Sequence, residues 1–246
     1  MRYLLAVLLL SSPASGQSVA TSRTVSVGSF DRVRVEGPFE VRVTIGSPRA
    51  TITGDPSIAE SVAVRVDGTT LSVRKGTGGW GEQPRGGGSS SGRGGAGPIL
   101  VTLSTPGLTS ASVAAGGRLT IAKMRGMRVD VTVTGNASLA LIAADTDQLN
   151  ATLIGTGQMT LAGRAARARL VTSGPGAIDA SGLVVDDLTV HLDGVGETKA
   201  AARYTAQVTN SGLGSVTVTG NAKCRVDAAA GGPVVCGTRG AGVSAP

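Results

Sequence analysis

The sequence predicts an all-β protein built as a β-solenoid, with coils of about 19 residues. Three observations carry this. Apolar and polar residues alternate with period 2 in short runs rich in Val and Ile, the pattern of half-buried strands. Glycines recur at positions 116, 135, 155, 174, 194 and 212, a nearly constant spacing. A repeat of that length marks stacked units. Only five of the 246 residues are aromatic, against 38 glycines, so the core must be aliphatic.

Residues 1–16 read as a secretory signal peptide. Arg2 supplies the positive start, and residues 3–10 form an apolar stretch too short to span a bilayer. Ala14-Ser15-Gly16 fits a cleavage site before Gln17. No cysteine precedes Cys224, so the expectation is a free exported protein rather than a lipid-anchored one. No later apolar stretch is long enough for a transmembrane helix. The expected address is therefore the periplasm or the cell surface.

Residues 17–75 form the N-terminal strand segment. Its runs are Val25 and Val27, Val33 and Val35, residues 39–45, Ala50 and Ile52, residues 62–66, and Leu71 and Val73. Asp67-Gly68 between the last two accepts the positive φ of a tight hairpin turn. Asp55-Pro56 and the four residues after it read as a capped helical turn. Residues 76–98 contain almost nothing to bury and read as a flexible Gly/Ser-rich loop. Trp80 within it is either a contact residue or a plug on the neighbouring sheet. Residues 99–237 are assigned to the solenoid, and 238–246 to a C-terminal tail.

In the repeats, Gly-x-Gly starts at 155, 174, 194 and 212, and a small residue follows eight positions later at 163, 182, 202 and 220. Period 2 and the β-branched content exclude stacked amphipathic helices. At ~3.3 Å per residue such a coil holds strands of about 3 to 5 residues and its corners. Glycine suits corners with positive φ or close backbone approach, and Asn136, Asn150, Asn210 and Asn221 suit the same corners. The stretch Val-Thr-Val-Thr-Gly-Asn-Ala occurs at 131–137 and again at 216–222. The offset between these copies is not a whole number of coils, so they are expected at different places in the coil.

Cys224 and Cys236 are twelve positions apart. In an oxidising compartment they form a disulfide worth roughly 3 kcal/mol in the chain-entropy model; the alternative is two buried thiols. With Gly231-Gly232-Pro233 between them, this segment is placed to close the C-terminal end of the stack. Lys and Arg exceed Asp and Glu by 7, and 19 of the 23 basic residues are arginine. Arg164, Arg167 and Arg169 are the densest group. Nucleic-acid modules interleave such groups with aromatics for stacking, and the poverty of aromatics here argues against a nucleic-acid partner.

The segments Phe30-Asp-Arg-Val-Arg-Val-Glu-Gly-Pro-Phe-Glu-Val-Arg-Val, Val64-Arg-Val-Asp-Gly-Thr-Thr-Leu-Ser-Val and Ile99-Leu-Val-Thr-Leu-Ser-Thr-Pro-Gly-Leu, followed by the glycine-rich coils, resemble the head GIN domain family of putative autotransporter adhesins. The resemblance covers roughly residues 25–237. It implies a right-handed parallel β-helix with the N-terminal strands joined to it. It implies no catalytic residues.

The residues themselves assign no catalytic, cofactor or metal site. His191 and Asp193 share a strand face, but no nucleophile elbow accompanies them. Acidic residues at 145, 147, 179, 186, 187 and 193 lie in the repeats, yet the calcium-solenoid motif is absent. The expected function is that of a non-enzymatic exported envelope protein, adhesin-like, whose partners are envelope glycans or other cell-surface components. The alternatives are a β-helical enzyme acting on polysaccharide and a structural periplasmic protein.

Overall fold

A computed structural model describes residues 21–54, 59–76 and 99–237. The expected signal peptide, most of the helical turn at 55–60, Trp80 with its Gly/Ser-rich loop, and the tail lie outside these residues. Among the described residues seventeen strands, β1 to β17, form one continuous hydrogen-bonded sheet that winds into a β-solenoid of about six turns.

The coils come from long strands that bend. They are β10 (Met124–Thr134), β11 (Ser138–Ile154), β12 (Gln158–Ser173), β13 (Ala177–Asp193) and β14 (Glu197–Asn210). Each pairs in parallel with the next. Register shifts and gaps in the pairing divide the coils into three sides. In β11 these are 138–141, 144–146 and 148–154, stacked on 158–161, 163–165 and 167–173 of β12. The expected break into short strands therefore occurs at the Gly-x-Gly corners and, among the second marks, only at Gly220, between residues 219 and 223. At the second marks 163, 182 and 202 the chain turns by a register shift and stays extended, as bulged strands do.

Alternation decides what fills the interior. One inward row runs Val131, Ala151, Leu170, Val190, Val208, one residue per coil, each almost fully buried. Another runs Leu119, Leu139, Met159, Ile178, Thr198, Val216 and Val234, with Thr198 its one polar member. Thr198 is satisfied inside the core by Thr172, with their hydroxyl oxygens 2.9 Å apart, as a buried polar group must be.

The glycine corners stack backbone on backbone. A Cβ on Gly155 would sit 2.8 Å from the Gly135 carbonyl oxygen, and one on Gly174 would sit 3.0 Å from that of Gly155. Asn136 and Asn221 do lie at corners, but Asn150 lies inside β11. Asn210 is buried and braces a corner, donating to the Gly214 carbonyl at 2.9 Å and accepting from the Gly212 amide at 3.1 Å. No described asparagine has positive φ; glycines and Ala115 take those angles. The two copies of Val-Thr-Val-Thr fall on different sides, residues 131–134 on the third and 216–219 on the first.

The N-terminal strands interlock with the stack. On the third side, β2 (Arg32–Glu36) lies between β6 (Thr70–Lys75) and β8 (Ser110–Ala114), parallel to both. On the first side, β3 (Glu40–Ile45) lies between β7 (Leu100–Thr105) and β9 (Arg118–Ile121). The chain's first coil is thus an inner coil, with later residues on both of its faces. Beyond it the parallel stack ends in antiparallel strands. β4 (Arg49–Gly54) pairs with β7, β1 (Thr21–Val25) with β4, and β5 (Val62–Asp67) with β6. Gly68, at φ 58°, makes the expected hairpin between β5 and β6.

At the other end, β15 (Ser215–Thr219) and β17 (Val234–Cys236) finish the first side, and β16 (Lys223–Asp227) finishes the third. Cys224 on β16 and Cys236 on β17 form the expected disulfide, with their Cα atoms 6.2 Å apart.

Candidate functional site

The third side carries a polar array. Its outward residues align in register. One row reads Arg128, Gln148, Arg167, Asp187, Thr205, Lys223. The next reads Asp130, Asn150, Arg169, Thr189, Gln207, Arg225. Strand alternation points these side chains outward, and parallel register puts equivalent positions about 4.8 Å apart. A shallow depression of about 230 Å³ lies between Gln148, Asn150, Arg167, Arg169, Asp187 and Thr189.

The side chains flanking β12 are engaged elsewhere. Gln148 Oε1 accepts from Arg128 Nη2 at 3.0 Å. Asn150 Nδ2 donates to Asp130 Oδ1 at 2.8 Å. Asp187 Oδ1 accepts the Thr205 hydroxyl at 2.6 Å. Around the bend, Asp145 Oδ2 accepts from Arg125 at 3.0 Å rather than from its other neighbour, Arg164.

On the first side, Ser181 donates both its hydroxyl, at 2.6 Å, and its amide, at 3.0 Å, to Asp179 Oδ1. These two bonds hold the Asp179 carboxyl below the usual aspartate range, with Lys199 assisting. A lowered native value stabilises the fold above the ordinary aspartate range, and that contribution is lost as pH falls through the native value. Asp179 is exposed, so the effect on stability is small. The titration itself is measurable. Side-chain carboxyl NMR of the protein is expected to place Asp179 below an unperturbed aspartate, and Ser181→Ala to move it up. An unchanged midpoint in S181A would assign the shift to another cause.

His191 is half-buried in the outward row between Val171 and Thr209, and Asp193 is exposed at the strand end. Among the described residues no hydrogen bond joins them. The acidic residues do not gather either: Asp145, Asp186 and Asp187 are held by Arg125, Arg203 and Thr205 respectively. Among the described residues no group of three or more His, Cys, Asp or Glu could hold a metal ion. No described helix is long and apolar enough to cross a membrane.

The arginines at 164, 167 and 169 are legible in the sequence as its densest basic group. Of their neighbours, Asn150 is visible there only as a corner candidate and Asp187 only as one of the repeat-region acids, while Gln148 and Thr189 do not stand out. A signal for them exists all the same: each lies one glycine period before or after Arg167 or Arg169, and so one coil away.

Solved structures share this architecture. A putative adhesin from Bacteroides fragilis NCTC 9343 has a TM-score of 0.76 at 18% identity, covering 90% of this chain and 98% of that one. A putative adhesin from Parabacteroides merdae ATCC 43184 has a TM-score of 0.64 at 16% identity, covering 89% and 96%. A structure named as a putative lipid binding protein from Parabacteroides distasonis ATCC 8503 has a TM-score of 0.66 at 14% identity, covering 89% and 97%. At these identities the likeness shows the fold alone. No curated protein sequence matches the chain. The family model described as "Putative auto-transporter adhesin, head GIN domain" matches residues 29–222 of this interlocked solenoid, and the chain belongs to that family.

Proposed function

We propose that the protein is exported and acts outside the cytoplasm as a non-enzymatic, adhesin-like binding protein. Its partners in this reading are envelope glycans or other cell-surface components. The observation that carries it is the third side, where parallel register lines up amide, hydroxyl and guanidinium groups in continuous outward rows. Such a surface suits an extended polar polymer, because each coil repeats the same hydrogen-bonding positions. The Cys224–Cys236 disulfide supports an oxidising compartment, and the family's adhesin description supports surface binding.

Protease treatment of intact cells, with a periplasmic marker as control, tests the surface arm. Loss of the protein while the marker survives is the expected result. Protection until the outer membrane is opened would remove the adhesin reading and favour a periplasmic role.

A further inference from the structure

Strand β12 is unusual in its charge. It carries Arg164, Arg167 and Arg169 and no acidic residue. Elsewhere in the described fold several basic side chains have acceptors: Arg34 with Glu36, Arg42 with Glu40, Arg125 with Asp145, Lys199 with Glu197 and Arg203 with Asp186. The three arginines of β12 are exposed and have no hydrogen bond or ion pair among the described residues. Acceptors do lie beside them in register, yet Gln148, Asp145 and Asp187 each bond to the strand beyond. The fold therefore satisfies the neighbours and leaves three guanidinium groups on one strand, Arg164 around the bend and Arg167 and Arg169 on the third side, where both border the depression of about 230 Å³.

We infer that this depression binds the carboxylates of an acidic polysaccharide, with Arg167 and Arg169 as the anion-binding residues. The inference rests on the polymer-binding reading above and names its ligand class. Arg167 and Arg169 are two positions apart on one face, so their Cα atoms are about 6.6 Å apart along the strand. Each guanidinium offers the planar fork that matches a carboxylate bidentately. Around them stand groups suited to sugar hydroxyls. Thr189 has a hydroxyl, Asn150 keeps its carbonyl oxygen, and Asp187 keeps its second carboxylate oxygen.

A nucleic acid would bring phosphates to the same charges, but it also presents bases that need stacking surfaces. Among the described aromatics, Phe30 and Phe39 are buried, and Tyr204 sits at the bend beside Arg203, outside the third side's rows. Among the described residues the third side offers no aromatic ring.

The test is a binding titration of the mature protein with a linear polygalacturonate oligomer. The same oligomer fully methyl-esterified and a single-stranded oligonucleotide of equal charge serve as comparisons. Polygalacturonate is expected to bind at least about tenfold more tightly than either, a gap set by charge-assisted hydrogen bonds. R167Q/R169Q is expected to lose at least that factor while melting at the wild-type temperature, since neither side chain has a partner to lose. R42Q, on another side, is expected to bind normally. Equal affinity for the oligonucleotide, or unchanged binding by R167Q/R169Q, would overturn the inference. If the esterified oligomer binds as well as the acid form, the polymer-binding reading stands and the carboxylate site falls. If the protein binds none of the probes and no envelope polysaccharide preparation, both fall.

Discussion

Gly155→Val is expected to cost more than about 4 kcal/mol, the range of severe single substitutions. Two effects combine. Gly155 has φ +111°, which a β-branched residue does not adopt without strain. The new Cβ would also lie 2.8 Å from the Gly135 carbonyl oxygen, 3.0 Å from its Cα and 3.1 Å from its nitrogen. All three are backbone atoms, so no side chain can swing aside. Moving Gly135 away would stretch the bond from its amide to the Ile154 carbonyl, now 2.8 Å. Thermal unfolding is the measurement, with Gly68→Ala as the control. Gly68 also has positive φ, but a Cβ there meets nothing within 4 Å, so its cost is limited to about 1–2 kcal/mol of backbone strain. A Gly155→Val melting temperature within a few degrees of wild type would show that the corners do not stack as described.

Breaking the Cys224–Cys236 disulfide is the second large effect. Closing a loop of this size removes chain entropy worth about 3 kcal/mol from the unfolded state. The bond joins the last strand of the third side to the last strand of the first. All five residues of β16 are exposed, and β17 has three residues. Among described residues nothing pairs with the outer edge of either strand. The loss is therefore expected to be local, since such terminal units open independently of the core. In C224S/C236S, amide exchange in β16 and β17 is expected to rise by about a hundredfold, while the β11 to β13 amides keep their protection. Unchanged exchange at the end strands would show that Gly232, packed against Gly214 and Asn210, closes the stack without the disulfide.

These effects follow from features that differ in how visible they are in the sequence. The even glycine spacing from 116 to 212 announces the length of one coil: Gly116 and Gly135 take positive φ, and from Gly155 on a Cβ would meet the backbone of the preceding coil. The period-2 runs at 33–45 and 62–73 announce strands for the same local reason: alternation needs no knowledge of partners. The basic group at 164–169 is equally plain.

What the sequence determined, then, was the strand content, the coil length, the cysteine pair and the positions of the charges. These are properties of residues and of short spacings. Only the tertiary structure decided which strands are neighbours. Nothing local to Arg32–Glu36 specifies that β2 lies between β6 and β8, both far along the chain; that choice rests on burying Val33 and Val35 on both sides at once. Nor does composition reveal that the acceptors beside β12 turn to other strands. Around β12 the hydrogen bonds form between residues a coil apart, so whether these guanidinium groups are satisfied or free is settled only when the coils stack.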